Sequence, residues 1–385
     1  MNNGAYCALA FMLTAGSLCS GQGQDAKGGP AATCVVATQD SSERAKSVAQ
    51  FVGDGTGDQE EINAAIRSLP RVGGTVLLME GTYDIRKVEG TLGGVVIARS
   101  DVTLAGQGSA TRLVLAPDQN TNVVRIIGPD VARITIRDLQ VDANREANAE
   151  GKGDPNVSHD RFEFCGIKAF CGMPGQSGDA PTHDITIRNT CVRNAHRLGI
   201  MLEGPNMKVV NNVLGNAGSD AVEILTGPGE IRGNYVEITG QTHVAIGTDR
   251  ADSILMTDNI VHVKKGGRLD IAFRSWAASQ RHVIANNVVT VDPEGFCAQA
   301  IDARGSRTVI TGNCLQTATR DPRMRLTIGA GDAVITGNIL ENVVIEINDT
   351  TGEDRPIILG TNVLNNASVN LKSGKLERQD GAPHP

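Results

Sequence analysis

The chain has 385 residues, 45 of them glycine, with aromatics at only 3% and a formal net charge of −7. An acidic chain with a pI near 5.6 argues against a nucleic-acid binder, which would carry a basic face. The sequence also lacks a GxxxxGK[ST] loop, HExxH, CxxC, an EF-hand loop and the glycine-rich calcium nonapeptide of some β-helices.

Residues 1–22 read as an export signal, with a short apolar run from Ala8 to Leu18 before Ser20-Gly21, which places the protein in a secreted or periplasmic setting. No Lys or Arg precedes that run, and a lipoprotein reading at Cys19 is the weaker alternative. No other apolar run approaches the ~20 residues of a membrane span. Residues 23–34 are Gly, Ala, Gln and Pro and read as a linker. Six cysteines follow the signal; Cys165 with Cys171, and Cys297 with Cys314, are the nearest pairs for disulfides, with plain buried packing as the alternative.

Next, Asp58 precedes Glu60, Glu61 and the helically spaced Ile62, Ala65, Ile66 and Leu69. This predicts a capped amphipathic helix with acids in its first turn, ended by Pro70 and Gly73-Gly74. "GTVLLMEGTYDI" and "GVVIARSDVTLAGQG" then read as strands joined by turns.

From residue 183 to 365 one pattern returns: an apolar β run, an Asn, then two more apolar residues. Asn189, Asn212, Asn234, Asn259, Asn287, Asn313, Asn338 and Asn362 recur at gaps of 23, 22, 25, 28, 26, 25 and 24 residues. Such a period, built from β-branched runs, predicts a stacked β solenoid. A leucine-rich repeat would need fixed Leu positions, and these runs vary. An Asn at each turn tolerates the left-handed conformation, and stacked amides can bond in a ladder. The expected domain spans residues 35–372, about eleven or twelve coils, with residues 373–385 as a polar tail.

"DGTGDQEEINAAI", "GGTVLLMEGTYDI" and "SDVTLAGQG" resemble the opening of the pectate-lyase-3-like right-handed parallel β-helix proteins. The resemblance implies an all-β, right-handed single-stranded solenoid whose open end is capped by the helix. It implies no single activity, since that superfamily holds polysaccharide lyases, uronan epimerases, glycoside hydrolases, phage tailspikes and uncharacterised surface proteins. The Tyr-Gly-Phe-Asp-Pro-His run of bacterial alginate epimerases and the Asn-Thr-Asp and Asp-Asp patterns of polygalacturonases are missing here, so no catalytic residue carries over.

The site is therefore sought in strand alternation. Taking Ile167/Ala169, Ile200/Leu202, Val222/Ile224, Val244/Ile246, Ile271/Phe273 and Ile301/Ala303 as inward pairs sends Lys168, Phe170, Met201, Glu203, Glu223, His243, Asp270, Arg274, Asp302 and Arg304 outward. On this alignment Arg274 and Arg304 share one strand position, and His243 meets Asp270 one coil apart. A solvated charged face is the bland alternative. The stripe fits abstraction of the proton beside a uronate carboxylate, as in lyases and epimerases. His243 polarised by Asp270 is the expected base, with Lys168 in reserve. Arg274 and Arg304 are expected on substrate carboxylates, Glu203 beside them, and Trp276 as a sugar platform. Glycoside hydrolysis by paired carboxylates among Glu223, Asp270 and Asp302 is the second option, and a non-catalytic glycan-binding or structural β-helix the third. The charged loop 144–164, with His159, Asp160, Arg161 and Glu163, is expected to wall one side. His183, His196, His262 and His282 read as surface or turn residues. The expected partner is a polysaccharide. No metal site or other cofactor is called for; a helper divalent cation stays open, as do monomer, homo-oligomer and trimer.

Overall fold

A computed structural model describes residues 32–148, 164–171, 180–276 and 278–379. The chain winds as a right-handed parallel β-helix of about 11 turns. Three parallel sheets of 14, 11 and 11 strands form its walls, each strand pairing with its counterpart one coil on. Among the described residues, the helices Glu43–Val48 and Gln59–Ser68, the 3-10 turn Gly108–Ala110 and the single turn Arg145–Asn148 interrupt this. No helix among the described residues is long and apolar enough to cross a membrane.

The core is a stack of Val, Ile and Leu from all three walls, with Tyr83 and Phe273 fully buried. Tyr83 satisfies its hydroxyl on the carbonyls of Val36 and Met79. The helix Gln59–Ser68 closes the first coil with Ile62, Ala65 and Ile66. Asn63 on it donates to the carbonyl of Gly94 and accepts from the amide of Val96, and so covers the first edge strand of the third sheet. Asp58 sits at the helix start without capping it. Its carboxylate is held instead by Thr38 Oγ1 and the amides of Gly55 and Asp84. The wall runs past the expected boundary at residue 372, because Lys375–Arg378 pairs with Pro356–Leu359.

The Asn ladder lies at the corner between the first and second sheets. Asn212, Asn234, Asn259, Asn287, Asn313, Asn338 and Asn362 are buried, and each side-chain amide but that of Asn362 donates to the next Oδ1 at 2.9–3.0 Å. Each second amide hydrogen goes to a backbone carbonyl such as that of Met256 or Ile284. Asn189 is a correction. It is exposed, at φ 52°, and Thr190 takes the ladder position by donating its amide and hydroxyl to Asn212 Oδ1.

The expected disulfides are not made. Cys171, Cys297 and Cys314 are thiols, and Cys297 and Cys314 stand on different sheets. Cys165 packs with Leu198, Met201 and Leu225 outside the main core.

Candidate functional site

The third sheet widens midway. Its strands grow from three residues in Ile167–Ala169 and Ile200–Leu202 to eight in Gln241–Thr248, Arg268–Ser275 and Phe296–Ala303. The added residues shift the register expected from alternation. Val222 pairs with Ile246, which pairs with Phe273 and then Ile301. The inward pairs in the two middle coils are thus Ile246/Thr248 and Phe273/Ser275, two residues beyond the expected ones. Val244 stands instead opposite Asp220 and Ile271. One outward row therefore reads Lys168, Met201, Glu223, Gly247, Arg274, Asp302. Arg304 does not share a position with Arg274; it lies two residues farther along, and Asp302 faces Arg274.

The slip divides the expected stripe into two clusters. The first is buried. Arg274 Nη2 bonds Asp220 Oδ2 at 2.7 Å and Glu223 Oε1 at 2.5 Å, and all three side chains are under 8% exposed. Gly247 makes this reach feasible, since a Cβ there would lie 3.2 Å from both Arg274 Nη2 and Asp220 Oδ2. Burial, with Asp220 second, pushes the Glu223 carboxyl up to about 8, against the pull of Arg274. Two buried carboxyls thus face one guanidinium, and burial favours the protonated form of Glu223. Arg274 is thus committed to its own chain rather than to a substrate carboxylate. Beside it, Asp302 is 3% exposed and pairs with Arg304 at 3.0 Å. The guanidinium carbons of Arg274 and Arg304 stand 5.3 and 5.4 Å from the Trp276 ring centroid, and Trp276 is exposed.

The second cluster lies four residues up the strands, ~13 Å away along the chain direction. His243 Nδ1 is 2.8 Å from Asp270 Oδ2, as the sequence pattern predicts, because both coils slip together. The imidazole is 34% exposed, and pinning Nδ1 fixes which ring nitrogen faces outward. Gln241 and Arg268 form the neighbouring outward pair, with Arg268 over the Phe296 ring.

Gln241 also ends a groove of 680 Å³ along the corner between the second and third sheets. A second amide column, unforeseen in the sequence, lines it. Thr239 donates to Asn216, Asn216 to Asn194, and Asn194 to Asp142. Arg145 lies in the same groove.

The remaining expected residues fall elsewhere. Lys168 is buried, in register with Arg125 and two coils from Glu223 in the same row, its Nζ 5.3 Å from the Phe170 ring centroid. Glu203 is half-buried, and burial raises its pKa against the pull of Arg250, Lys168 and Arg125. His183 and His262 pair with Asp184 and Asp292 near the surface. His196 and His282 are buried, contrary to expectation. Residues 149–163 of the expected loop, including His159, Asp160, Arg161 and Glu163, lie outside the described residues. Among the described residues, no three His, Cys, Asp or Glu side chains converge to hold a metal ion.

No protein-family model matches the chain. Alginate lyase 7 of Azotobacter vinelandii is 27% identical over 201 residues, 46% of this chain and 23% of that protein. The chain therefore aligns with less than a quarter of that relative's length. The DFA-IIIase of Arthrobacter chlorophenolicus A6, as the C387A variant in complex with DFA-III, superposes with a TM-score of 0.55 at 14% identity, over 90% of this chain and 86% of that one. Its complex with GF2 gives 0.55 at 14% over 90% and 89%. These likenesses show a shared β-helix fold.

Proposed function

We propose that this protein is a carbohydrate-active enzyme that acts on an anionic polysaccharide by elimination or epimerisation, with His243 as the base. The observation that carries the reading is the His243–Asp270 pair: Nδ1 held at 2.8 Å, the ring partly exposed, beside an amide-lined groove. The likeness to an alginate lyase supports an anionic glycan. In the step, the outward His243 nitrogen takes the proton on the carbon next to a uronate carboxylate. The electron pair left behind either expels the glycosidic oxygen one carbon on, which takes up a proton from water as the C=C bond forms, or is reprotonated on the other face by water. Arg268, on the same strand face as Asp270, is the cation at hand for the charge that develops on the carboxylate.

A panel of polysaccharides tests this. A rise in ultraviolet absorbance reports the unsaturated product, and deuterium uptake reports epimerisation. His243→Ala should lower kcat by roughly 10²–10⁴-fold. No product or exchange on any polyuronate, or a fully active His243→Ala, refutes the reading.

One observation favours a second reading. Glu223 is buried beside Asp220, which raises its pKa and favours the protonated form that the general acid of glycoside hydrolysis or transfer requires. New reducing ends without ultraviolet absorbance, lost in Glu223→Gln and kept in His243→Ala, would select it.

A further inference from the structure

The groove beside Gln241 contains a cation, Arg145, that no described residue pairs with. Arg145 sits on the single helical turn Arg145–Asn148, half-buried. Among the described residues its guanidinium has neither a hydrogen bond nor an ion pair. The two carboxylates nearby do not take that role. Asp142 accepts from the Asn144 amide and the Asn194 side chain, and Glu146 is exposed. Burial lowers the Arg145 pKa, with no acid among the described residues opposing it. The guanidinium rests against Gly218, where a Cβ would lie 3.0 Å from Nη2 and 3.1 Å from Cζ, so the missing side chain gives it its seat.

A guanidinium that is partly desolvated loses part of its hydration, and no acid among the described residues offsets that loss. A planar fork with free N–H donors is best completed by a carboxylate, which it binds with two parallel hydrogen bonds. The surroundings are amides and a hydroxyl, the groups that bond sugar hydroxyls, and 680 Å³ falls within the roughly 300–1,000 Å³ of small-ligand sites.

We propose that this groove is a uronate subsite in which Arg145 holds the carboxylate of a sugar residue next to the one at His243. The proposal rests on the reading of the protein as acting on an anionic polysaccharide, and it names the residue that would set the preference for acidic over neutral sugar.

Titration calorimetry with an alginate tetrasaccharide and its carboxyl-reduced counterpart tests it, on the full chain. Wild type should bind the acidic tetrasaccharide more tightly than the reduced one. Arg145→Gln should lose about tenfold or more in affinity for the acidic ligand and nothing for the reduced one. Arg145→Lys, which keeps charge without the fork, should fall between. Equal affinity of wild type and Arg145→Gln for the acidic ligand overturns the proposal, as does an equal loss for both ligands or the absence of binding to wild type. The two readings fail separately. If alginate is turned over through His243 with KM and affinity unchanged in Arg145→Gln, the subsite is wrong and the activity stands. If Arg145-dependent binding occurs but no polyuronate is converted, the subsite stands and the activity is wrong.

Discussion

Arg274 bonds Glu223 at 2.5 Å although their strands are two coils apart, because the coil between them presents Gly247. Adjacent coils are ~4.8 Å apart, so the guanidinium spans a rung that any side chain would obstruct. Gly247→Ala should displace the Arg274–Asp220 contact and destabilise by about 1–3 kcal/mol, and Gly247→Val by more. Thermal unfolding of both variants checks this; an unchanged Tm for Gly247→Val would show that the cluster adapts freely.

The same cluster sets a pH dependence. The Glu223 pKa rises from an ordinary 4.5 to about 8 on folding, so the native state holds the proton more tightly than the unfolded chain. That contribution to stability is complete below about 4.5 and is lost as pH rises through about 8. Glu223→Gln cannot ionise. Relative to wild type, it should therefore gain stability progressively as pH climbs through this window. Paired denaturant titrations across pH measure the difference, and a constant difference would mean Glu223 is ionised in the native protein.

His282 gives the opposite slope. It accepts the Ile254 amide on Nδ1, and burial holds its pKa near 4 instead of 6.5. Here the unfolded chain holds the proton more tightly. The contribution is complete above 6.5 and declines as pH falls toward 4, by up to ~3 kcal/mol. His282→Asn, whose Oδ1 can accept the same amide, should flatten this decline, as read by urea titration at pH 7 and pH 4.5.

In the ladder, Asn287→Ala removes the acceptor of the Asn259 amide and of one Asn259 side-chain hydrogen, and the side-chain donor to the Met256 carbonyl; Asn313 Oδ1 keeps the backbone amide of residue 287. A loss of ~1–3 kcal/mol is expected for each buried group left without a partner. Asn189→Ala should cost much less, since its side chain only donates to Asp138 at the surface. Thr190→Ala should cost more than Asn189→Ala. The reverse order in Tm would contradict the placement of Thr190 in the ladder.

The period of the coils was legible in the sequence because each turn repeats one chemical demand, a buried amide that bonds the next. The face of the third sheet was less so. In "THVAIGT" and "LDIAFRS" two adjacent apolar residues, Ala245 with Ile246 and Ala272 with Phe273, both enter the core. Period-two reading has no place for that, and it assigns Val244 and Ile271 inward instead. Asp220 was missed for the same reason: by alternation it falls on the side of Val222, yet its carboxylate meets Arg274 on the outer face. The groove was missed because Arg145, Asn194, Asn216 and Gln241 come from different coils at a corner, where no strand periodicity applies.

The two clusters make opposite demands on activity measurements. His243 Nδ1 and Asp270 Oδ2 are bonded to each other, so the two should behave as one unit. Asp270→Ala frees the imidazole to rotate and to change tautomer, and should lower kcat on the converted polymer by ~10–10³-fold with a small effect on Tm. His243→Ala and the double variant should fall to the same floor, because removing the orienting acid has no further consequence once the base is gone. Arg274→Ala differs in kind: it leaves Asp220 and Glu223 buried without their cation, a loss of roughly 3–5 kcal/mol that shows first as a lower Tm. If Asp270→Ala and His243→Ala multiply in the double variant, the two residues act independently and the base is not oriented by the carboxylate. If Arg274→Ala keeps its Tm but loses turnover, the working centre lies at Glu223 and the His243 assignment falls.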